Sequence, residues 1–180
     1  AYGPKALSSA GRVGDGLILQ IAEPTIVKWL ADQAKKAGID AGRDMKNYKV
    51  MCAAPALTGD LTSAIEKVKW FPAMVGNHVA DIVERYGSDT DQVPSSLTSY
   101  IKNRKGYDYS KHGQSDNPYL DFITDDVIKS FCVLGSNQDH IEKLKVLEDS
   151  GMTQFNIYLD SGDEEKTIAD YAENIIPAFN

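Results

Sequence analysis

The chain has 180 residues, enough for one domain of ordinary size, and its 42% hydrophobic and 25% charged content is that of a globular protein built on a core. A net charge of −7 and a pI near 4.9 argue against a nucleic-acid surface, which needs a basic stripe. The longest apolar runs, such as 16–22, are far too short to cross a bilayer, so no membrane partner is expected.

Pro4 suits the first position of a helix, where its missing N–H is no loss, and a short helix is expected over 5–10, broken by Gly11 and Gly14. Asp15-Gly16 then leads into the apolar run 17–21, a strand of the buried type. Asp15 reads as a turn brace, with Arg12 as its partner. Glu23-Pro24 opens a helix to about residue 37, with Ile26, Val27, Leu30 and Ala34 on one face and Gly38 as its stop. Residues 48–54 form a second apolar strand, which Pro55 is expected to end. Asp60 or Thr62 caps the next helix, which carries Ile65, Val68, Trp70 and Phe71 until Pro72 kinks it. A further helical piece is expected over 78–86.

Residues 87–118 are polar throughout. Only 94–102 reads as helix there, and 106–118 is an irregular loop that suits a lid, a subunit contact or a plain surface excursion. Order resumes with a helix over 124–131. Ser136 is a good N-cap for a helix over 139–150, which Gly151 closes. Residues 154–159 make a third strand of high β-propensity, and a final helix over 164–176 stops at Pro177.

Short apolar strands alternating with amphipathic helices imply an α/β fold, with a parallel sheet and the helices outside it. About three strands do not close a barrel, which takes about eight, and helices cover only one face of such strands. The expectation is therefore a single partial domain over 1–180, with a small open α/β sandwich as the alternative. The chain opens on Ala1 rather than Met, with no secretory-signal pattern, which suggests processing, truncation or proteolysis. Cys52 and Cys132 lie in apolar runs and read as buried free thiols, which favours a cytoplasmic location. His78, His112 and His140 are scattered without metal-ligand spacing, so no metal is expected. No nucleophile–base constellation emerges, and the adjacent Asp125 and Asp126 diverge on a helix.

The run Ala1-Tyr2-Gly3-Pro4-Lys5-Ala6-Leu7, followed by Ala10-Gly11-Arg12-Val13-Gly14-Asp15-Gly16-Leu17-Ile18, resembles the luciferase-like monooxygenase superfamily. A second stretch, Val133-Leu134-Gly135-Ser136 through Ile141-Glu142-Lys143-Leu144 to Gly151-Met152-Thr153-Gln154-Phe155, is similar to that family's last helix–strand pattern. It carries Asn137-Gln138 where Pro-Glu is usual. The resemblance is strongest to the branch near methylenetetrahydromethanopterin reductase. It implies the C-terminal portion of a (β/α)8 TIM barrel, from the end of the fifth strand onward, with the N-terminal barrel half missing and a homo-oligomeric assembly. It further implies an oxidoreductase or monooxygenase that uses FMN or a deazaflavin (coenzyme F-420) on a small-molecule substrate.

In that family the opening turn holds the cofactor's phosphate, which here places Tyr2, Gly3, Lys5 and Ala6 around it. The residues alone fit an ordinary turn or a phosphate site, since a Gly beside a Pro-initiated helix leaves backbone N–H groups facing outward at the positive end of the helix dipole. Gln20 ends the first strand, and C-terminal strand ends face the active site in such barrels, so it is a candidate substrate contact. Sugar-phosphate-oxidising relatives have a Thr at that place and an Arg where Ser130 stands, which argues against a sugar phosphate. Tyr158 and Asp160 lie at the third strand's end, where they face the mouth or else serve as core packing and a helix cap. The isolated chain is expected to be inactive, since ring-binding and proton-handling residues lie upstream in relatives. The alternative from another class is a non-catalytic α/β assembly module derived from a barrel.

Overall fold

Apolar runs of four to ten residues, each followed by a longer helical segment, fold into one parallel sheet with helices against it. The computed structural model describes residues 1–76, 78, 123–160 and 162–179. The expectations for 79–86, 94–102, 106–118 and His112 fall outside them. In chain order the elements are α1 (Pro4–Val13), β1 (Gly16–Leu19), α2 (Pro24–Asp40), β2 (Lys49–Thr58), α3 (Leu61–Val68), α4 (Asp125–Phe131), β3 (Val133–Gly135), α5 (Asn137–Asp149), β4 (Gln154–Tyr158) and α6 (Glu164–Asp170). Residues 70–76 are also helical, and the chain closes with a π-helical turn at Tyr171–Ile175 and a 3-10 turn at Ile176–Phe179.

β2 pairs with all three other strands, always in parallel. β1 runs from Gly16↔Lys49 to Leu19↔Cys52, β4 from Gln154↔Met51 to Tyr158↔Pro55, and β3 from Val133↔Ala56 to Gly135↔Thr58. Met51 and Cys52 pair with both β1 and β4, so those two strands lie on opposite edges of β2. The structure adds β3 to the three expected strands, because a run of three residues is too short to show a period. It also carries β2 through Pro55. The Lys49 N–H reaches the Asp15 carbonyl (3.3 Å), on the β1 edge. The alternation of a strand then turns the Pro55 nitrogen to that same edge, beyond the last β1 pair at Cys52, so no bond to β1 is lost.

Leu17, Leu19, Val50, Cys52 and Ala54 share one core with Leu7 of α1 and Ile26, Val27, Leu30 and Ala34 of α2. The opposite face of the sheet carries the register row Ile18, Met51 and Gln154; Ile18 is 56% exposed and Gln154 is exposed. Among the described residues the helices therefore leave the start of this face open, at Ile18 and Gln154, while its far end at Ala53 and Pro55 is buried. Beside β4 lies an open cleft of about 360 Å³, lined by Leu144, Met152, Phe155, Ile157, Ile176 and Phe179 among others.

Two glycines expected to end helices instead sit inside them. A Cβ on Gly11 would stand 1.9 Å from the Ala34 carbonyl oxygen, and one on Gly38 would stand 2.8 Å from the Gly11 carbonyl oxygen. The missing side chains let α1 and α2 touch backbone to backbone, so packing overrides the weak helix propensity of glycine. Arg43 rather than Arg12 braces the corner after α1, donating to the carbonyls of Gly11 (2.6 Å) and Gly14 (2.8 Å).

The last helices are tied to β2 by the fully buried His140. Its Nε2 lies 3.0 Å from the Leu57 carbonyl, which only accepts, so Nε2 carries the proton and Nδ1 accepts from the Tyr171 hydroxyl at 3.0 Å. Burial pulls this imidazole down to about 4. Lys143 closes the end of α4 by donating to the carbonyls of Lys129, Ser130 and Cys132. Desolvation lowers its ammonium to about 8.

Gly11→Ala should lower stability by about 1–3 kcal/mol in urea denaturation, because the clash with α2 outweighs the helix-propensity gain of about 1 kcal/mol. The unfolded chain protonates His140 near pH 6.5 and the folded chain only near pH 4. Its contribution is thus fully present above about pH 6.5 and declines as pH falls toward 4. Denaturation midpoints at pH 7 and pH 4.5 should differ less in His140→Gln, which does not titrate, than in the unaltered chain.

Candidate functional site

Because all strands are parallel, the C-terminal ends of β1, β2 and β4 share one rim. Gln20 lies just past β1 there and Tyr158 ends β4. Tyr2, which enters α1, swings its ring over the same rim. The Gln20 backbone N–H donates to the Tyr2 hydroxyl at 2.6 Å, and Gln20 Nε2 donates to the Tyr158 hydroxyl at 2.8 Å. Between β1 and β4 the central strand carries only the small residues Ala53 and Pro55, over which this side chain passes.

Aromatic rings hold both phenols in place. The Tyr2 ring stacks on His78 with centroids 5.7 Å apart and planes 9° apart, while Tyr158 meets Phe71 edge-on at 5.7 Å. Phe71 is fully buried and takes the edge of Trp70 on its other side. Burial pushes the Tyr2 phenol above its ordinary value, and the nearby Tyr158 and Cys52 act in the same direction. Tyr2 therefore stays protonated at any physiological pH.

The turn before α1 adds a second feature to the rim. Gly3 is the N-cap, with extended backbone, and the first turn holds no acidic residue and no side-chain cap. α2, α3 and α5 are each capped instead by a side chain, from Glu23, Asp60 and the Ser136–Asp139 capping box. Lys5 and Ala6 are exposed, and their backbone N–H groups have no acceptor among the described residues. A Cβ on Gly3 would meet nothing within 4 Å, so space lies directly outside this turn.

The four residues expected around a phosphate, Tyr2, Gly3, Lys5 and Ala6, thus share one uncapped turn, and Gln20 is joined to that turn through Tyr2. Asp160 does not cap α6, whose N-cap position is Asp163, paired with Lys67. Burial raises the Asp160 carboxyl. Ser130 presents its carbonyl to Lys143. The sequence reading left Trp70, Phe71 and His78 as helix-face residues. Their position just after a strand's C-terminal end was the available signal, since such segments border the mouth of a βα unit.

Residues 1–154 match the profile of the luciferase-like monooxygenases. The chain belongs to this family. Two curated relatives are the 5,10-methylenetetrahydromethanopterin reductases of Methanopyrus kandleri and Archaeoglobus fulgidus, each 25% identical to the chain over 182 residues. The alignments cover 99% and 98% of this chain but 49% and 52% of those proteins, so the chain spans about half the length of the curated relatives it matches. Among solved structures, the coenzyme F420 dependent tetrahydromethanopterin reductase from Methanopyrus kandleri matches with a TM-score of 0.65 at 23% identity. That match covers 100% of this chain and 50% of that one. An F420-dependent secondary alcohol dehydrogenase, solved with an F420–acetone adduct, matches with a TM-score of 0.64 at 19% identity, over 99% of this chain and 47% of its own. This luciferase-like chain therefore has the fold of about half a TIM barrel.

Proposed function

We propose that this family member is the C-terminal part of a deazaflavin-dependent oxidoreductase and that Tyr2, Gly3, Lys5 and Ala6 anchor the phosphate of its cofactor. The observation that carries this reading is the uncapped N-terminus of α1, open to space at the rim where the strands end. Free N–H groups at the positive end of a helix suit phosphate oxygens, and Lys5 adds a cation beside them. The relatives named for coenzyme F420 support a deazaflavin as the cofactor, with FMN, and monooxygenase chemistry through it, as the variant of the same reading. When bound, such a cofactor supplies the hydride chemistry, while this chain holds the phosphate and presents Gln20 and the two tyrosines to a small-molecule substrate at the mouth.

The open start of the sheet face and the half-length match support completion by an N-terminal barrel half. The chain alone, as a single partial domain over 1–180, would then be inactive. Titration with coenzyme F-420 and with FMN, followed by cofactor fluorescence, tests this. The chain alone should show no turnover, and the chain joined to an N-terminal barrel half should bind one of the two. Turnover by the chain alone, or no binding of either cofactor by the completed barrel, would sink the reading.

Gly3→Asp gives a sharper check. The backbone there is extended, so an Asp caps α1 and raises stability by about a few tenths of a kcal/mol. The same carboxylate takes the donors meant for phosphate and repels it, so cofactor affinity should fall by more than about tenfold while Tm rises.

A further inference from the structure

The rim carries a polar arrangement that the phosphate turn does not use. Both phenol oxygens already accept a hydrogen from one residue, Gln20, at 2.6 Å for Tyr2 and 2.8 Å for Tyr158. A phenol has one proton of its own to give, and among the described residues neither hydroxyl has an acceptor for it. Turning the Gln20 carboxamide by half a turn does not remove the surplus. Tyr158 then donates to Oε1, and the amide N–H groups become the unused donors at the same spot. The rings are fixed by His78 on one side and Phe71 on the other, so the two donors do not drift apart. No carboxylate among the described residues bonds either phenol.

Two fixed, half-buried donors with no partner are suited to an oxygen that only accepts. We propose that Tyr2 and Tyr158 form a paired-donor site for the anionic group of a bound small molecule, with Gln20 as the positioning residue that ties the two phenols together. The inference deepens the reading above, since the molecule is the cofactor or the substrate of that mouth. The ligand chemistry is an oxyanion, carboxylate or phosphate. The substrate arm assigns the enzyme an acidic substrate bound through its carboxylate or phosphate group. Gln20 then acts on the substrate through the phenols as well as by its own position.

The test follows the ring-carbon NMR signals of the intact chain labelled at the tyrosine ζ-carbons, with Tyr2→Phe and Tyr158→Phe supplying the assignments. Sodium acetate, inorganic phosphate and coenzyme F-420 are the probes, and F-420 binding is read separately by fluorescence. A joint, saturable shift of both signals with F-420 assigns the oxyanion to the cofactor. A joint shift with acetate or phosphate, in a chain whose signals F-420 leaves in place, assigns it to the substrate. If F-420 fails to bind this chain while acetate or phosphate still moves both signals, the paired site stands, and the cofactor reading is decided separately by the completed barrel. In the supporting cases each Phe variant should bind the active probe about tenfold more weakly. Gln20→Leu should keep the near-ultraviolet circular dichroism of the fold but make the two tyrosines respond separately. Signals that no probe moves in a folded chain, or a response from one tyrosine alone in the unaltered chain, would overturn the proposal.

Discussion

Every strand pairing among the described residues runs through β2. Its ten residues take β1 on one edge and β4 on the other, and its last three residues take β3. The helices then pack on the face this strand organises, and His140 and Tyr171 fasten the C-terminal helices to the carbonyl of Leu57 at its end. The candidate site depends on the same strand in a less direct way. Gln20 reaches Tyr158 only because the residues of β2 between them are small, so the central strand sets both the sheet and the bridge across its rim.

Electrostatically the site is a place of donors without acceptors. α1 begins, like α4 and α6, without the side-chain cap that α2, α3 and α5 have, and the phenols of Tyr2 and Tyr158 have no acceptor among the described residues. Elsewhere the picture is mixed, since Trp29 Nε1 and the hydroxyls of Tyr48 and Thr167 are buried without a partner among the described residues, while two other groups are fully used. Lys143 distributes its ammonium protons over three carbonyls, and His140 uses both ring nitrogens.

Signals confined to a few neighbouring residues were legible in the sequence. Pro4 at the first helical position, Asp60 and Ser136 as caps and the buried thiols of Cys52 and Cys132 all follow from local chemistry, and the structure repeats them. The glycines of α1 and α2 were misread because their role depends on a second helix crossing at backbone distance, which no local pattern records. Pro55 was misread because its effect depends on which edge its nitrogen faces and on where the neighbouring strand stops. The Tyr2–Gln20–Tyr158 bridge joins residues from both ends of the chain, and only the assembled sheet brings them together.

Among the described residues the two outer edges of the sheet, on β1 and on β4, lie on opposite sides of β2, and the β1 edge takes only the Ala1 ammonium, at the Ile18 carbonyl. Any set of strands that closes the barrel must therefore pair with both. Once the first edge has zipped, the second meets its partner as a tethered neighbour, at an effective concentration far above that of free chains. Closure is then an all-or-none event, and a half-zipped assembly is short-lived. A partner that satisfies only one edge, a second copy of this chain included, leaves the other edge exposed, and repeated addition of that kind builds an open array instead of a ring.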